Sequence, residues 1–290
     1  MAQNFAAKYQ KVVDEVFRLN SLTDIVINKG IRLDFNGVNS VTIYGVATVA
    51  ETAYVRSGSN RFGALVELDT TKQTFVLSQD RAFTYTIDRG NFEDSMMIQE
   101  AGSTLQRQIE VVCVPNTDIF RLAALSAYAV TNTQGTGFAG ATGTGSSVTA
   151  VALTSANIYV QFLNAGINLD DAKVPADGRV AFVTPATYAL LKQDSNFIKP
   201  SEMAQELLIK GVIGEVDGVR IVKVPTSYLP AGTGFMLVHN SALVAPHKFD
   251  TFRILKEVQG VDGWVVEGRR YYDAFIPANH GVGIRLHKIA

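Results

Sequence analysis

A run of fifty residues, from Val38 to Ile87, is rich in strand-forming residues and contains no helix that could cover them. Residues 56–63 within it are polar and glycine-rich, which is typical of a hairpin tip. Three or four strands with one apolar face are not stable alone in water. We therefore expect a second surface to cover this sheet. The segments that predict strands are Val41–Val46, Ala64–Leu68, Thr74–Leu77 and the strictly alternating Phe83–Ile87.

Helical patterns lie on both sides of this β-rich run. An apolar stripe from Phe5 to Phe17 predicts an amphipathic helix, and Ile25 to Leu33 suggest an extended arm. Asn91 is a suitable N-cap for a long helix over Phe92–Val112, which Pro115 is expected to end. A second helix is predicted after Asp118. Helices and a sheet that are separate in sequence indicate an α+β protein.

The second half alternates between helices and strands. Residues 131–147 consist mostly of Asn, Thr, Gly and Ser and predict a loop at a domain boundary. The expected helices run from Ser155 to Gly166, from Thr184-Pro185 through Leu191, and from Glu202 to Lys210. The expected strands are 179–183, 219–224, 235–238, 252–255, 264–267, 270–276 and 282–287, with a hairpin turn at Asp217-Gly218.

The composition excludes several classes of protein. Charged residues make up only 18%, against about 25% in an average domain. A net charge of −1 argues against a strongly basic nucleic-acid binder. Cys113 is the single cysteine, so no intrachain disulfide can form, and we expect neither a signal peptide nor a membrane span. So few charges require either a large core or a surface that other molecules cover.

The sequence predicts no catalytic, cofactor-binding or metal-ligating residues. Gly135 to Gly140 match GxGxxG, but a helix precedes them instead of a strand, so a flexible linker is the favoured interpretation. No HExxH or GxSxG motif is present. His280 and His287 are interpreted as surface or interface residues, and Asp170-Asp171 as solvated loop residues.

Charge is unevenly distributed between two segments. The segment from Asp88 to Asp118 contains six acids and two bases, whereas the β-rich run carries arginines, two of them at its hairpin tip. The two surfaces are complementary, and arginine suits bidentate contacts with carboxylates. The alternative is a solvated helix face with incidental arginines, and charge alone leaves both open. The residues concerned are Arg56, Arg61 and Arg81 on one side and Glu93, Asp94 and Glu100 on the other.

The order of several short motifs resembles the major capsid proteins of tailed bacteriophages, which have the Hong Kong 97-like fold. The motifs follow one another along nearly the whole chain, and Asn116 departs from them where similar sequences tend to carry glutamate. They are Val41-x-Ile43-Tyr44-Gly45, Leu77–Arg81 with Phe83–Asp88, Val114-Pro115 with Asp118 and Arg121, Pro175-x-x-Gly178-Arg179 before Phe182–Tyr188, and Gly211–Gly218.

The resemblance implies four parts and an assembly role. An N-terminal arm would span 1–37, an extended E-loop hairpin 38–90, a P-domain with a spine helix 91–146 together with 246–290, and an A-domain 147–245. The hairpin would lie on a neighbouring subunit, so the six charged residues named above become candidate inter-subunit contacts. Lys72 lies in the hairpin and could be crosslinked to a neighbour's asparagine; an ordinary surface lysine is the alternative.

The implied function is structural. Copies of the chain would form pentamers and hexamers of an icosahedral head shell around double-stranded DNA, bound non-specifically, in the virion. Assembly would take place in the bacterial host cytoplasm with portal and scaffold or decoration proteins, without a cofactor or a membrane. An encapsulin-like nanocompartment shell of the same fold is one alternative, and an unrelated α+β enzyme using residues 135–145 is another.

Overall fold

The computed structural model describes residues 21–31, 33–36, 39–94, 100–131, 138–139, 151–194, 214–256 and 258–289. The chain divides into two compact units. The smaller unit comprises Gly30–Ser78, and the larger comprises the residues up to Lys29 together with those from Gln79 onward. The stripe from Phe5 to Phe17, the predicted helix 202–210 and most of the predicted linker 131–147 lie outside the described residues.

The smaller unit is a three-stranded antiparallel sheet. Its strands are β1 (Asp34–Asn36), β2 (Ser40–Val46) and β3 (Thr70–Val76), in that order across the sheet. Val41 and Ile43 are buried, as the strand prediction for 41–46 requires. The predicted strand Ala64–Leu68 is wrong: this segment has irregular backbone, and nothing buries Leu65, Val66 or Leu68.

A second antiparallel sheet belongs to the larger unit. It consists of β10 (His247–Lys256), β11 (Gly263–Tyr272) and β4 (Gln79–Asp88), with β11 in the middle. The strand predicted at Phe83–Ile87 is confirmed. Its partner is not the hairpin that precedes it in sequence but a strand almost two hundred residues later, with Phe83 opposite Gly268. The strands predicted at 264–267 and 270–276 form the single strand β11, which ends at Tyr272.

The helix after β4 begins earlier than expected. Helix α1 spans Arg89–Asp94, and the Asp88 carboxylate accepts hydrogen bonds from the backbone N–H groups of Gly90 and Asn91, at 2.9 and 3.3 Å. Asp88 therefore caps the helix, and the prediction of Asn91 as N-cap is wrong. An acidic cap also suits the positive end of the helix dipole.

A helical run continues through Pro115, which was expected to stop it. Helix α2 (Ala101–Gln108) passes into a π-helical turn (Ile109–Cys113) and then into α3 (Val114–Thr131). Proline lacks an N–H group and its ring clashes with the carbonyl four residues earlier. The wider π turn lies where that clash would occur, so the chain accommodates the proline without ending the helix.

The largest sheet has six strands and separates two cores. The order across it is β5 (Phe138–Ala139), β12 (Ile284–Lys288), β9 (Thr233–His239), β6 (Arg179–Val183), β8 (Val219–Lys223) and β7 (Glu215–Val216). Side chains alternate across it: Phe182 packs toward Leu122 and Leu125 of α3, whereas Ala181 and Val183 join the opposite core. Helices on both sides explain why β6 and β9 are buried throughout.

Two helices cover the second core. Helix α4 (Ile158–Asp171) continues five residues beyond Gly166, its predicted end, so Asp170 and Asp171 form its last turn instead of a loop. Helix α5 (Pro185–Gln193) is capped as predicted, because Thr184 Oγ1 accepts from the N–H of Thr187 at 3.2 Å. The predicted hairpin turn is confirmed between β7 and β8, where Asp217 and Gly218 both have positive φ.

Candidate assembly surfaces

The segment between β2 and β3, residues 47–69, forms an ordered loop with little core of its own. Backbone hydrogen bonds from Ala47 N to Asp69 O and from Val55 N to Arg61 O, both 3.0 Å, hold its two sides together. The Tyr54 and Phe62 rings meet edge to face at 5.0 Å near the tip. The loop is therefore shaped by its backbone and one aromatic pair.

Apolar side chains on the smaller unit are exposed to an unusual degree. This unit carries eleven of the seventeen large apolar side chains that are exposed among the described residues. Leu65 is 103% and Phe62 is 85% exposed. Clusters of this kind on a protein surface mark an interaction site. The eleven, called the apolar loop surface below, are Phe35, Tyr44, Val46, Val49, Tyr54, Val55, Phe62, Leu65, Val66, Leu68 and Val76.

The three candidate arginines lie on exposed sites. Arg56 and Arg61 belong to the loop, where Arg61 Nε donates to the carbonyl of Gly58 at 3.2 Å. Arg81 lies on β4, and its Nε donates to Gln79 Oε1 at 3.1 Å. Both of these acceptors are neutral, so these two contacts do not offset the positive charges of Arg61 and Arg81.

The three candidate acids lie around the start of the helical run. Glu93 and Asp94 are exposed on α1, and Glu100 immediately precedes α2. Glu93 forms a solvent-exposed pair with Arg89 of the same helix at 3.4 Å. Such a pair contributes about 0.3–0.5 kcal/mol and competes weakly with an inter-subunit contact. Pairing of these acids with the arginines of a neighbour stays a prediction.

Lys72 is exposed on β3, opposite Tyr44 of β2. Its ammonium group is therefore accessible to another molecule, as a crosslink would require. Crosslinking itself stays a prediction.

The outer face of the β10–β11–β4 sheet carries ordered ion pairs. Arg269 of β11 binds Asp80 of β4 through two hydrogen bonds, at 2.9 and 2.6 Å, and Arg253 pairs with Glu267 at 2.6 Å. The Arg269 hydrogen bonds lower the pKa of Asp80. A shallow groove of about 540 Å³ lies between these pairs over small residues such as Ala82 and Thr84.

A buried polar cluster attaches residues 21–24 to α3, and it was not among the predicted sites. The Asp118 carboxylate is 1% exposed and accepts from Ser21 Oγ, Leu22 N and Thr23 Oγ1 at 2.9, 2.8 and 2.6 Å. Arg121, one turn later, donates to Thr23 Oγ1 at 3.0 Å. The only sequence signal was the Asp-x-x-Arg spacing within an apolar helix, which places both side chains on one face.

Among the described residues, no group of three or more His, Cys, Asp or Glu side chains is placed to hold a metal ion. His287, expected at a surface, is instead fully buried, because β12 lies inside the sheet beneath α4. No helix in the described part of the chain is long and apolar enough to cross a bilayer.

Comparison with known families identifies the chain. Residues 81–281, more than two thirds of the sequence, match the family model described as phage capsid protein. The chain therefore belongs to this family and is a structural capsid protein, which confirms the predicted structural role. A comparison with curated protein sequences gives no significant match.

Solved phage structures share the fold along the whole chain. The capsid of cyanophage P-SCSP1u superposes with a TM-score of 0.77 at 13% identity, covering 99% of this chain and 93% of that one. Mycobacterium phage Che8 gives 0.68 at 19% identity, with coverage of 97% and 96%. The head structure of Helicobacter pylori bacteriophage KHP40 gives 0.63 at 12%, with 96% and 93%. The predicted Hong Kong 97-like α+β fold is confirmed.

Proposed function

We propose that copies of this chain assemble into the closed icosahedral head shell of a tailed bacteriophage, as pentamers and hexamers around double-stranded DNA. The observation that carries this proposal is the apolar loop surface. Burying apolar surface contributes about 25 cal/mol per Å², so side chains as exposed as Leu65 and Phe62 favour association strongly. A second copy of the chain is the proposed partner.

Four parts are proposed for the subunit, as the resemblance to capsid proteins implies. Residues 38–90 are proposed to act as the E-loop, which reaches a neighbouring subunit, and residues 1–37 as the N-terminal arm. The P-domain is proposed to comprise 91–146 and 246–290, and the A-domain 147–245. Residues Gly30–Ser78, which overlap most of the proposed E-loop, cluster as a compact unit.

Charge pairs are proposed to set the register between subunits. Arg56, Arg61 and Arg81 would bind Glu93, Asp94 or Glu100 of adjacent copies. Both groups are exposed, and the acceptors described for Arg61 and Arg81 are neutral. Like charges placed opposite each other would prevent the contact from forming, which gives the pairing specificity as well as energy.

Electron microscopy of the purified chain tests assembly, and a charge swap tests the pairing. The R56E/R61E variant should stay folded and form no shells. Adding D94R and E100R to it should restore them, because the sign of both surfaces is then reversed. Normal shells from R56E/R61E would contradict the pairing. A stable monomer from the unmodified chain would contradict the assembly proposal itself.

A matched control is K72Q, which removes a cation of the same unit without touching the proposed pairs. It should assemble normally. If Lys72 forms a crosslink, boiled denaturing gels of unmodified shells will show ladders that K72Q abolishes; a single band in both would identify Lys72 as an ordinary surface lysine.

The contents of the shell distinguish the remaining alternatives. Double-stranded DNA inside shells from infected cells supports the head shell, with portal and scaffold or decoration proteins as further partners and host cytoplasm as the place of assembly. Protein cargo without DNA would support the encapsulin-like nanocompartment. Nucleotide binding by a monomer would support the enzyme.

A further inference from the structure

A β-bulge in β10 turns His247 toward helix α3. His247 lies opposite Tyr272 and Phe249 opposite Tyr271, so Lys248 is an extra residue in the ladder. Regular alternation would place His247 on the same outer face as Phe249. With the bulge, its ring instead stacks on Tyr272, 5.7 Å between centroids, and its Nε2 lies 3.4 Å from Arg121 Nη2.

The contact with Arg121 defines the charge state of His247. A guanidinium can only donate, so Nε2 must accept and carry no proton. The proton then sits on Nδ1, which lies 3.5 Å from Asp250 Oδ2. The charged and titratable groups that face the ring are Asp250 of its own strand, Arg121 of α3, and Arg270 and Tyr272 of β11. Desolvation and the two arginines lower the pKa of His247, while Asp250 opposes them.

Arg121 also binds Thr23 and Asp24, near the first of the described residues. Its Nη1 donates to Thr23 Oγ1 at 3.0 Å and to Asp24 Oδ1 at 2.7 Å. Its side chain is only 6% exposed, so it has little freedom to move without breaking these contacts. His247 and residues 23–24 therefore share one buried guanidinium.

We propose that His247 makes the attachment of residues 21–24 to α3 sensitive to acid. A proton taken from solvent onto Nε2 removes the acceptor that faces Arg121 and places a second cation beside it. Arg121 must then move, and its hydrogen bonds to Thr23 and Asp24 are lost. The His247 side chain is 32% exposed, so solvent protons can reach it.

Hydrogen exchange of the full chain tests this proposal. Protection of amides 22–26, after correction for intrinsic exchange, should fall severalfold as pH decreases below about 6.5, and by at most about tenfold per pH unit, because a single proton is taken up. In His247→Asn the loss should stay within about twofold, since the amide can accept from Arg121 and donate to Asp250 but does not titrate. His280→Asn is the matched control and should behave as the unmodified chain.

Unchanged protection in the unmodified chain would overturn the proposal, and so would an equal loss in His247→Asn. Circular dichroism shows whether that variant folds, and His247→Gln replaces it if it does not. If neither variant folds, the pH dependence of amide protection in the unmodified chain is the test of the proposal. A loss confined to amides 22–26 supports the proposal, whereas an equal loss in β9 shows global unfolding and overturns it.

Discussion

Arg270 of β11 donates a hydrogen bond from its Nη1 to the backbone carbonyl of Cys113, at 3.1 Å, and so joins the sheet to the end of the π-helical turn. The same nitrogen donates to Thr117 Oγ1 at 3.0 Å, and Thr117 in turn donates to the Cys113 carbonyl at 2.8 Å. Burial raises the pKa of the Cys113 thiol, which favours its protonated form. At this site, the Arg270 side chain of β11 donates to an irregular turn of the helix.

Replacing Arg270 with leucine should destabilise the larger unit by about 2–3 kcal/mol, because partly buried hydrogen bonds from a charged donor to the Cys113 carbonyl and the Thr117 hydroxyl are lost. Urea unfolding followed by circular dichroism measures the change. Arg253→Leu is the control: its pair with Glu267 is exposed and should cost roughly 1 kcal/mol or less. Equal losses in the two variants would contradict a special role for Arg270.

The continuation of the helix through Pro115 shows where sequence patterns stop being informative. Apolar spacing correctly indicated helices before and after the proline, and proline is normally a reliable stop. The π turn and its support from Arg270 involve residues more than 150 positions apart. A local sequence pattern cannot indicate a hydrogen-bond donor so distant in the chain. The two helices could therefore be predicted, but their continuity could not.

Removing the Asp118 carboxylate should release residues 21–23. In Asp118→Ala three donors lose their acceptor and buried Arg121 loses a nearby countercharge at 3.9 Å. Removing one partner of a buried charge pair in this way lowers the free energy of unfolding by about 3–5 kcal/mol. We expect the amide of Leu22 to exchange faster and the midpoint of urea unfolding to fall. Asp24→Ala, which alters a carboxylate with a 60% exposed side chain, should have a much smaller effect on unfolding; a comparable effect would argue against Asp118 as the main anchor.

The apolar loop surface was anticipated, whereas the Asp118 cluster was not. A β-rich run without a covering helix already predicted that apolar residues near positions 38–87 need a partner, because this follows from local composition. Asp118 binds residues almost one hundred positions earlier. Its spacing to Arg121 indicated a shared helix face, but nothing nearby in sequence indicated what that face would hold.

Acid should destabilise the fold through His287. The ring stacks on Phe235 at 4.9 Å and is fully buried, which lowers its pKa to about 4. An unfolded chain, with a histidine pKa near 6.5, binds more protons between about pH 6.5 and 4, so stability falls as pH decreases through this window. The loss from this residue is on the order of 3 kcal/mol.

Urea unfolding at several pH values measures that dependence. In His287→Leu the slope of unfolding free energy against pH should decrease in this window by as much as about 1.4 kcal/mol per pH unit, the contribution of one proton. His280→Asn should keep the original slope. An unchanged slope in His287→Leu would show that other groups cause the acid sensitivity.

Polar substitutions on the apolar loop surface should separate folding from assembly. Leu65→Ser with Val66→Ser removes two side chains that are 103% and 65% exposed, so the free chain loses almost no buried contact and its unfolding free energy should change by less than about 0.5 kcal/mol. A neighbouring copy, by contrast, would lose two apolar anchors, each contributing about 1.5–3 kcal/mol when fully buried. Sedimentation velocity should therefore show subunits or small oligomers in place of shells.

Val160→Ser is the control, since Val160 is a 45% exposed apolar residue of the larger unit and lies outside the proposed loop. Shells that form from the double variant with unchanged yield would show that these side chains are not buried between copies.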